Sequence, residues 1–232
     1  QQQQAIEAYQ TAYHQDENDL DVLTKLSEAY QHEEQWQKAM DTYLQLLNKQ
    51  PENTELHVMI GNLANKTKSY DIAIEHFQAA HRREPDNLSY AMKLAEVYGY
   101  VKHFEQSKKI YEELVQSFPN NINARIKLGE TYKSLEMEFE AITQFREAYK
   151  LSPNSLDVLY VLGSDYYKKG ILDKALEHFE AILQQVPDHL ETLLKVGSIN
   201  QEKNLFEQAI GSFLRILETE PKNPDALKQL DV

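Results

Sequence analysis

Residues 156–187 read LDVLYVLGSDYYKKGILDKALEHFEAILQQVP. Within this stretch Leu162-Gly163, Tyr166, Ala175, Phe179 and Pro187 stand at offsets that recur up and down the chain, so it is one copy of a unit. The prolines give the period. Six of the seven, Pro51, Pro85, Pro119, Pro153, Pro187 and Pro221, fall 34 residues apart. A single globular core gives no reason for that spacing, whereas a stack of like supersecondary units requires it.

With Leu20 as position one, complete copies occupy residues 20-53, 54-87, 88-121, 122-155, 156-189 and 190-223. Residues 1-19 match the second half of a preceding copy, through Ala5, Tyr9 and Ala12. Residues 224-232 match the start of a further repeat or capping helix, through Pro224, Leu227 and Leu230. The array is open at both ends, as a segment of a longer one would be.

Each copy reads as two helices. The residue before it is Asp19, Asn53, Asn87, Asn121, Ser155 or His189, and Asn223 precedes the last half copy. All but His189 are favoured N-caps, whose side-chain oxygen accepts from an otherwise unpaired first-turn N–H. Leu156, Leu159, Leu162 and Tyr166 give the first helix its apolar face. Gly170 and Asn204 sit where a left-handed C-cap closes it. Leu172, Ala175, Leu176, Phe179 and Ile182 line the second helix, which Pro187 stops.

Small residues mark where the two helices cross. Position eight is Ser27, Gly61, Ala95, Gly129, Gly163 and Gly197; position twenty is Ala39, Ala73, Ser107, Ala141, Ala175 and Ala209. A helical Gly costs about 1 kcal/mol against Ala, so four at one position need a reason, and close backbone approach supplies it. Large residues surround the crossing: position twenty-four is Tyr or Phe throughout, from Tyr43 to Phe213. Glu138 stands at position seventeen, otherwise aromatic or Leu, with Met137 and Phe139 beside it, which predicts a local packing shift.

Composition narrows the function classes. The net charge is −13, from 24 basic and 37 acidic residues, which disfavours nucleic acid and anionic membranes as partners. The absence of cysteine excludes disulfides, thiolate metal sites and a cysteine nucleophile. No apolar run approaches the ~20 residues of a membrane span, so this segment has no direct membrane insertion. No signal peptide is visible either. A cytoplasmic location is favoured, with an upstream leader or anchor left open because the chain does not begin with Met.

The pattern resembles the tetratricopeptide repeat, and the resemblance covers residues 5 to 230. Leu162, Gly163, Tyr166, Ala175, Phe179 and Pro187 carry it most fully; Ala64 and Asn200 depart from it at position eleven, otherwise tyrosine in the full copies. The resemblance implies an all-α, right-handed superhelical solenoid of antiparallel helix pairs. First helices would line a concave groove that binds protein or peptide. Its groove-facing places fall here on Val58, Met92, Ile126, Tyr160 and Leu194 at position five, and on Asn62, Glu96, Glu130 and Ser164 at position nine. That reads as an apolar row with acidic flanks, suited to an apolar segment with basic neighbours. Lys25, Lys93, Lys127 and Lys195 at position six offset part of the acidity. Some co-chaperones of the family clamp a C-terminal carboxylate with Lys at position five and Asn at position nine. Asn62 here stands with Val58, and no copy has the pair.

Sites for chemistry are not evident. His32-Glu33-Glu34-Gln35-Trp36 lacks the second His of a zinc-protease helix; residues 16–20 start like a calcium loop, but Leu20 has no oxygen side chain and Asp21 takes the place of the required glycine. His76 and His178 share one repeat position, where the family places polar or aromatic residues. Asn65-Lys66-Thr67 and Asn87-Leu88-Ser89 match the glycosylation triplet, a frequent chance motif. The reading is a non-enzymatic interaction scaffold or adaptor without catalytic residue, metal or cofactor. A substrate-recruiting arm of a larger enzyme, for example a glycosyltransferase, is the first alternative. Self-association through the open ends is the second.

Overall fold

The computed structural model describes residues 2–230, so Gln1, Asp231 and Val232, the outermost residues of the two half copies, lie outside the described residues. The chain forms an all-α solenoid of helix pairs, with fourteen helices and no strand among the described residues. It divides into two compact units, Gln1–Pro119 and Asn120–Val232. The first holds α1 (Gln2–Gln15), α2 (Leu20–His32), α3 (Trp36–Lys49), α4 (Thr54–Lys66), α5 (Tyr70–Arg83), α6 (Leu88–Tyr100) and α7 (Phe104–Ser117). The second holds α8 (Ile122–Ser134), α9 (Glu138–Leu151), α10 (Leu156–Lys168), α11 (Leu172–Gln185), α12 (Leu190–Glu202), α13 (Phe206–Thr219) and α14 (Pro224–Gln229). Within each unit every helix packs on its neighbours in sequence.

The caps explain the helix starts. Asp19, Asn53, Asn87, Asn121 and Asn223 each accept a first-turn backbone N–H through the side chain. Two caps invert the expectation. His189 does cap α12, its Nδ1 accepting from Thr192 N at 3.3 Å, while the Ser155 side chain makes no cap bond. An imidazole nitrogen is an acceptor as good as a carbonyl when its lone pair is free.

The turns between paired helices share one device. Position fifteen is left-handed in every full copy: Glu34 (φ 55°), Lys68 (60°), Lys102 (61°), Glu136 (60°), Gly170 (71°) and Asn204 (59°). Lys68 N donates to Asn65 O at 3.1 Å and Ser69 N to Ala64 O at 2.7 Å, and the other five turns repeat both bonds. This is the paired closure of a Schellman cap, and it needs a positive φ whether or not glycine is present. A non-glycine side chain there costs on the order of 1 kcal/mol. Lys68→Gly is therefore expected to stabilise the protein by about 0.5–1 kcal/mol, read as a higher urea midpoint. A lower midpoint would show that the Lys68 side chain makes compensating contacts.

The core is built on the crossing positions. Ala39, Ala73, Ala141, Ala175 and Ala209 are fully buried, with Ser107 in the sixth place. The Ser107 hydroxyl donates to Ala95 O at 2.8 Å, which shows how closely the second helix approaches the first-helix backbone. The glycines answer to a different neighbour from the one expected. A Cβ on Gly61 would lie 2.6 Å from the Phe77 ring, and one on Gly163 2.9 Å from the Phe179 ring. Gly129 and Gly197 face Phe145 and Phe213 in the same way. Each glycine makes room for the ring at position twenty-four of its own pair. Glu138 does not shift the frame: α9 begins on it as the other second helices begin on position seventeen. It ion-pairs with Lys169 at 3.6 Å, and Phe139 is left 79% exposed. The six periodic prolines all lie in exposed turns after the second helices.

Candidate functional site

The first-helix positions named from the sequence fall differently in the two units. In the 120–232 unit, α8 and α10 present positions two, five and six side by side, and α12 adds position two. They enclose a cleft of ≈ 370 Å³. Ile126, Leu156, Tyr160, Val161 and Ile182 supply its apolar lining; Glu130, Asp157 and Glu191 supply carboxylates, and Lys127 an ammonium group. Ile126, Glu130 and Tyr160 are thus brought together. Ser164 and Leu194 do not line the cleft: the Ser164 hydroxyl is shielded from solvent, and Leu194 packs against the core around Leu193 and Phe213.

Position five is not the open stripe that its sequence pattern suggested. Val58, Met92, Tyr160 and Leu194 are half-buried, and Ile126 is only 6% exposed. The cause is lateral packing. Val58 and Tyr160, like Leu194, lean on the cores of their units, and the Tyr160 ring lies 5.7 Å from Phe179 and 6.4 Å from His189. What stays exposed is polar: position two throughout, and Glu28, Asn62, Glu96 and Glu130 at position nine.

Several charged groups along these faces are engaged locally. Tyr160 Oη donates to Glu191 Oε1 at 2.5 Å, tying position five of α10 to position two of α12. Burial, and then this bond to a carboxylate, push the Tyr160 phenol up to about 12. Lys127 Nζ lies 2.9 Å from Glu130 Oε2. In the 1–119 unit, Lys93 Nζ donates to Asn62 Oδ1 at 2.9 Å, and Tyr100 Oη to Glu96 Oε1 at 2.8 Å. Asn62 is therefore engaged from α6, the first helix of the next copy, and Val58 beside it supplies no cation for a carboxylate clamp. Asp157 forms no ion pair among the described residues.

Among the described residues no group of three or more His, Asp or Glu is placed to hold a metal ion. No helix among them is long and apolar enough to cross a membrane. Sequence reasoning missed one polar feature of the 1–119 unit. His57 and His76 face each other with Nδ1 to Nδ1 at 2.9 Å.

An all-helical repeat of 34-residue helix pairs defines a class of solenoid proteins, and the sequence comparisons narrow that class to a family. Four profiles of the tetratricopeptide repeat match, over residues 1–63, 90–121, 122–155 and 140–189. The chain belongs to the tetratricopeptide repeat family. Proteins of this family are typically non-catalytic scaffolds for protein interaction. No curated protein matches the sequence significantly. Solved structures share the fold. PilW, a type IV pilus biogenesis factor, superposes with a TM-score of 0.74 at 16% identity, covering 92% of this chain and 99% of that one. The C-terminal part of a TPR repeat-containing protein from Cytophaga hutchinsonii gives 0.70 at 17% identity, covering 99% and 94%. YrrB, described as a TPR protein with an unusual peptide-binding site, gives 0.58 at 19% identity, covering 82% and 98%.

Proposed function

We propose that this chain is a scaffold or adaptor that holds a protein or peptide segment against its first-helix faces. An apolar side chain of the partner enters the cleft beside Tyr160, and basic neighbours meet Glu130, Asp157 and Glu191. The observation that carries this reading is the cleft itself, with apolar walls and three carboxylates against one lysine. Peptide binding by YrrB, a protein of the same fold, supports it. Val58, Asn62, Met92 and Glu96 are proposed as the corresponding face of the 1–119 unit. The six 34-residue copies are proposed as the units through which the partner is read.

The acids are the testable part, because they are exposed and can be neutralised without filling the cleft. Asp157→Asn/Glu191→Gln keeps both shapes, and the amide oxygen introduced at position 191 still accepts from the Tyr160 hydroxyl. Peptides selected from a random display library on the parent protein are expected to carry an apolar residue flanked by Lys or Arg. The double variant is expected to bind the best of them about tenfold more weakly in fluorescence anisotropy, roughly 1.4 kcal/mol, with the difference shrinking in high salt. Equal affinity for parent and variant, or selected peptides without basic residues, would remove the acids from the site.

A further inference from the structure

The repeat is broken in one place in a way that opens a second cleft. Position four is Leu23, His57, Arg125, Leu159 and Leu193 in five copies, and Ala91 in the third. Position twenty-eight is Leu47, Val115, Tyr149, Leu183 and Leu217 in five copies, and His81 in the second. The two departures are neighbours. His81 and Ala91 line the same cleft of ≈ 300 Å³, where α5 ends, α6 begins and α7 ends. Ile110 and Phe118 give it apolar walls, and Asp86 and Glu113 give it carboxylates. Its volume is at the low end for a ligand pocket, the size for one side chain or one ring.

Two facts say what would suit it. His81 Nδ1 is buried and has no hydrogen-bond partner, a state that costs free energy unless a donor or acceptor is brought to it. Asp86 and Glu113 form no ion pair among the described residues, and no Lys or Arg lines the cleft. The walls therefore ask for an apolar stem, the carboxylates for a cation, and the ring nitrogen for a hydrogen-bonding group. A guanidinium on an aliphatic chain has all three, with several N–H donors in a planar fork.

We propose that the cleft beside His81 and Ala91 is a binding site for an alkylguanidinium group, the side chain of an arginine presented by a partner. It is separate from the cleft beside Tyr160 and does not depend on that reading. The stem lies along Ala91 and Ile110, and the guanidinium donates to the carboxylates of Asp86 and Glu113 and to His81 Nδ1.

The test uses the full chain with butylguanidinium as probe, followed by methyl NMR of Ala91 and Ile110. Saturable shifts at both methyls are expected, at least tenfold weaker with tetramethylammonium, which has the charge but no N–H. Ala91→Leu restores the residue of three other copies and fills the cleft. It is expected to keep the helical circular dichroism and thermal midpoint of the parent, and to abolish the Ile110 shift. His81→Leu, again the residue of other copies, is expected to weaken the probe at least threefold while leaving the fold intact. No saturable shift in the parent would overturn the proposal. So would equal shifts with tetramethylammonium, or an Ile110 shift that survives in Ala91→Leu.

Discussion

Gly163→Leu is expected to destabilise the 120–232 unit by about 1–3 kcal/mol, seen as a lower urea midpoint by circular dichroism. The sign is set by competition between two terms. Removing a helical glycine by itself favours the helix by about 1 kcal/mol. Against that, the first carbon of any side chain at 163 would stand 2.9 Å from the Phe179 ring. Phe179 is fully buried and packs with Ala175, Ile182 and Ile199, so the ring has nowhere to retreat. Leucine then adds three further carbons. Gly211 is the control, since nothing lies within 4 Å of a Cβ built there and the residue is exposed. Gly211→Ala is expected to raise the midpoint, showing the helix term alone. An unchanged midpoint in Gly163→Leu would mean that the glycine at position eight does not serve the ring at position twenty-four.

That crossing was legible in the sequence because it recurs. One small residue at position eight tells little; six in register, each with an aromatic sixteen residues later, fix a contact. The kind of contact was not legible. Backbone approach and room for a ring both call for glycine, and only the geometry at Phe77 and Phe179 separates them. Left-handed turns were visible at Gly170 and Asn204 because those residues favour a positive φ. At Glu34, Lys68, Lys102 and Glu136 the same turn is imposed by the helices on either side, against local preference. The repeat frame would have located them, since position fifteen is fixed by its distance from the small residue.

The site was legible in the same partial way. Frame positions brought out Ile126, Glu130 and Tyr160, which do share a cleft. They could not give the exposure of position five. That depends on how far the following first helix leans over, which is a tertiary quantity. At position two, Asn123, Asp157 and Glu191 all reach the cleft, although an acid in the first turn of a helix is also favoured by the helix dipole without any ligand. The features that sequence reasoning missed are departures within a column of the repeat rather than the column itself. Ala91 is small where its counterparts are large, and His57 is polar where most are apolar.

His57 and His76 carry the pH dependence expected of the 1–119 unit. Positions four and twenty-three face each other within a pair. Arg125 donates to Gln144 at 3.1 Å from the same two places. In the second copy the two rings meet at 2.9 Å, with His76 only 6% exposed. Burial is the main cause that holds both imidazoles below their ordinary range. Arg83 adds to it at His57, and His57 adds to it at His76; Glu75 opposes at both, and Glu52 and Pro51 O oppose at His57. The folded protein therefore keeps these rings neutral where the unfolded chain, titrating near 6.5, takes up protons. Their contribution to stability is complete above pH ~6.5 and is lost as pH falls toward the lowered folded values. The urea midpoint is expected to be flat between about pH 7 and 8 and to fall below ~6.5. His57→Leu/His76→Thr, the residues of the first copy at these positions, is expected to flatten that fall while Arg83 keeps Glu52 and Pro51 O. His57→Leu alone leaves the buried His76 nitrogen without its partner and is expected to cost about 1–3 kcal/mol even at pH 8. Parallel midpoint curves for parent and double variant from pH 7 to 5.5 would show that other groups set the acid sensitivity. The single variant separates the two halves of the argument, because its penalty at pH 8 comes from the lost bond and not from protonation.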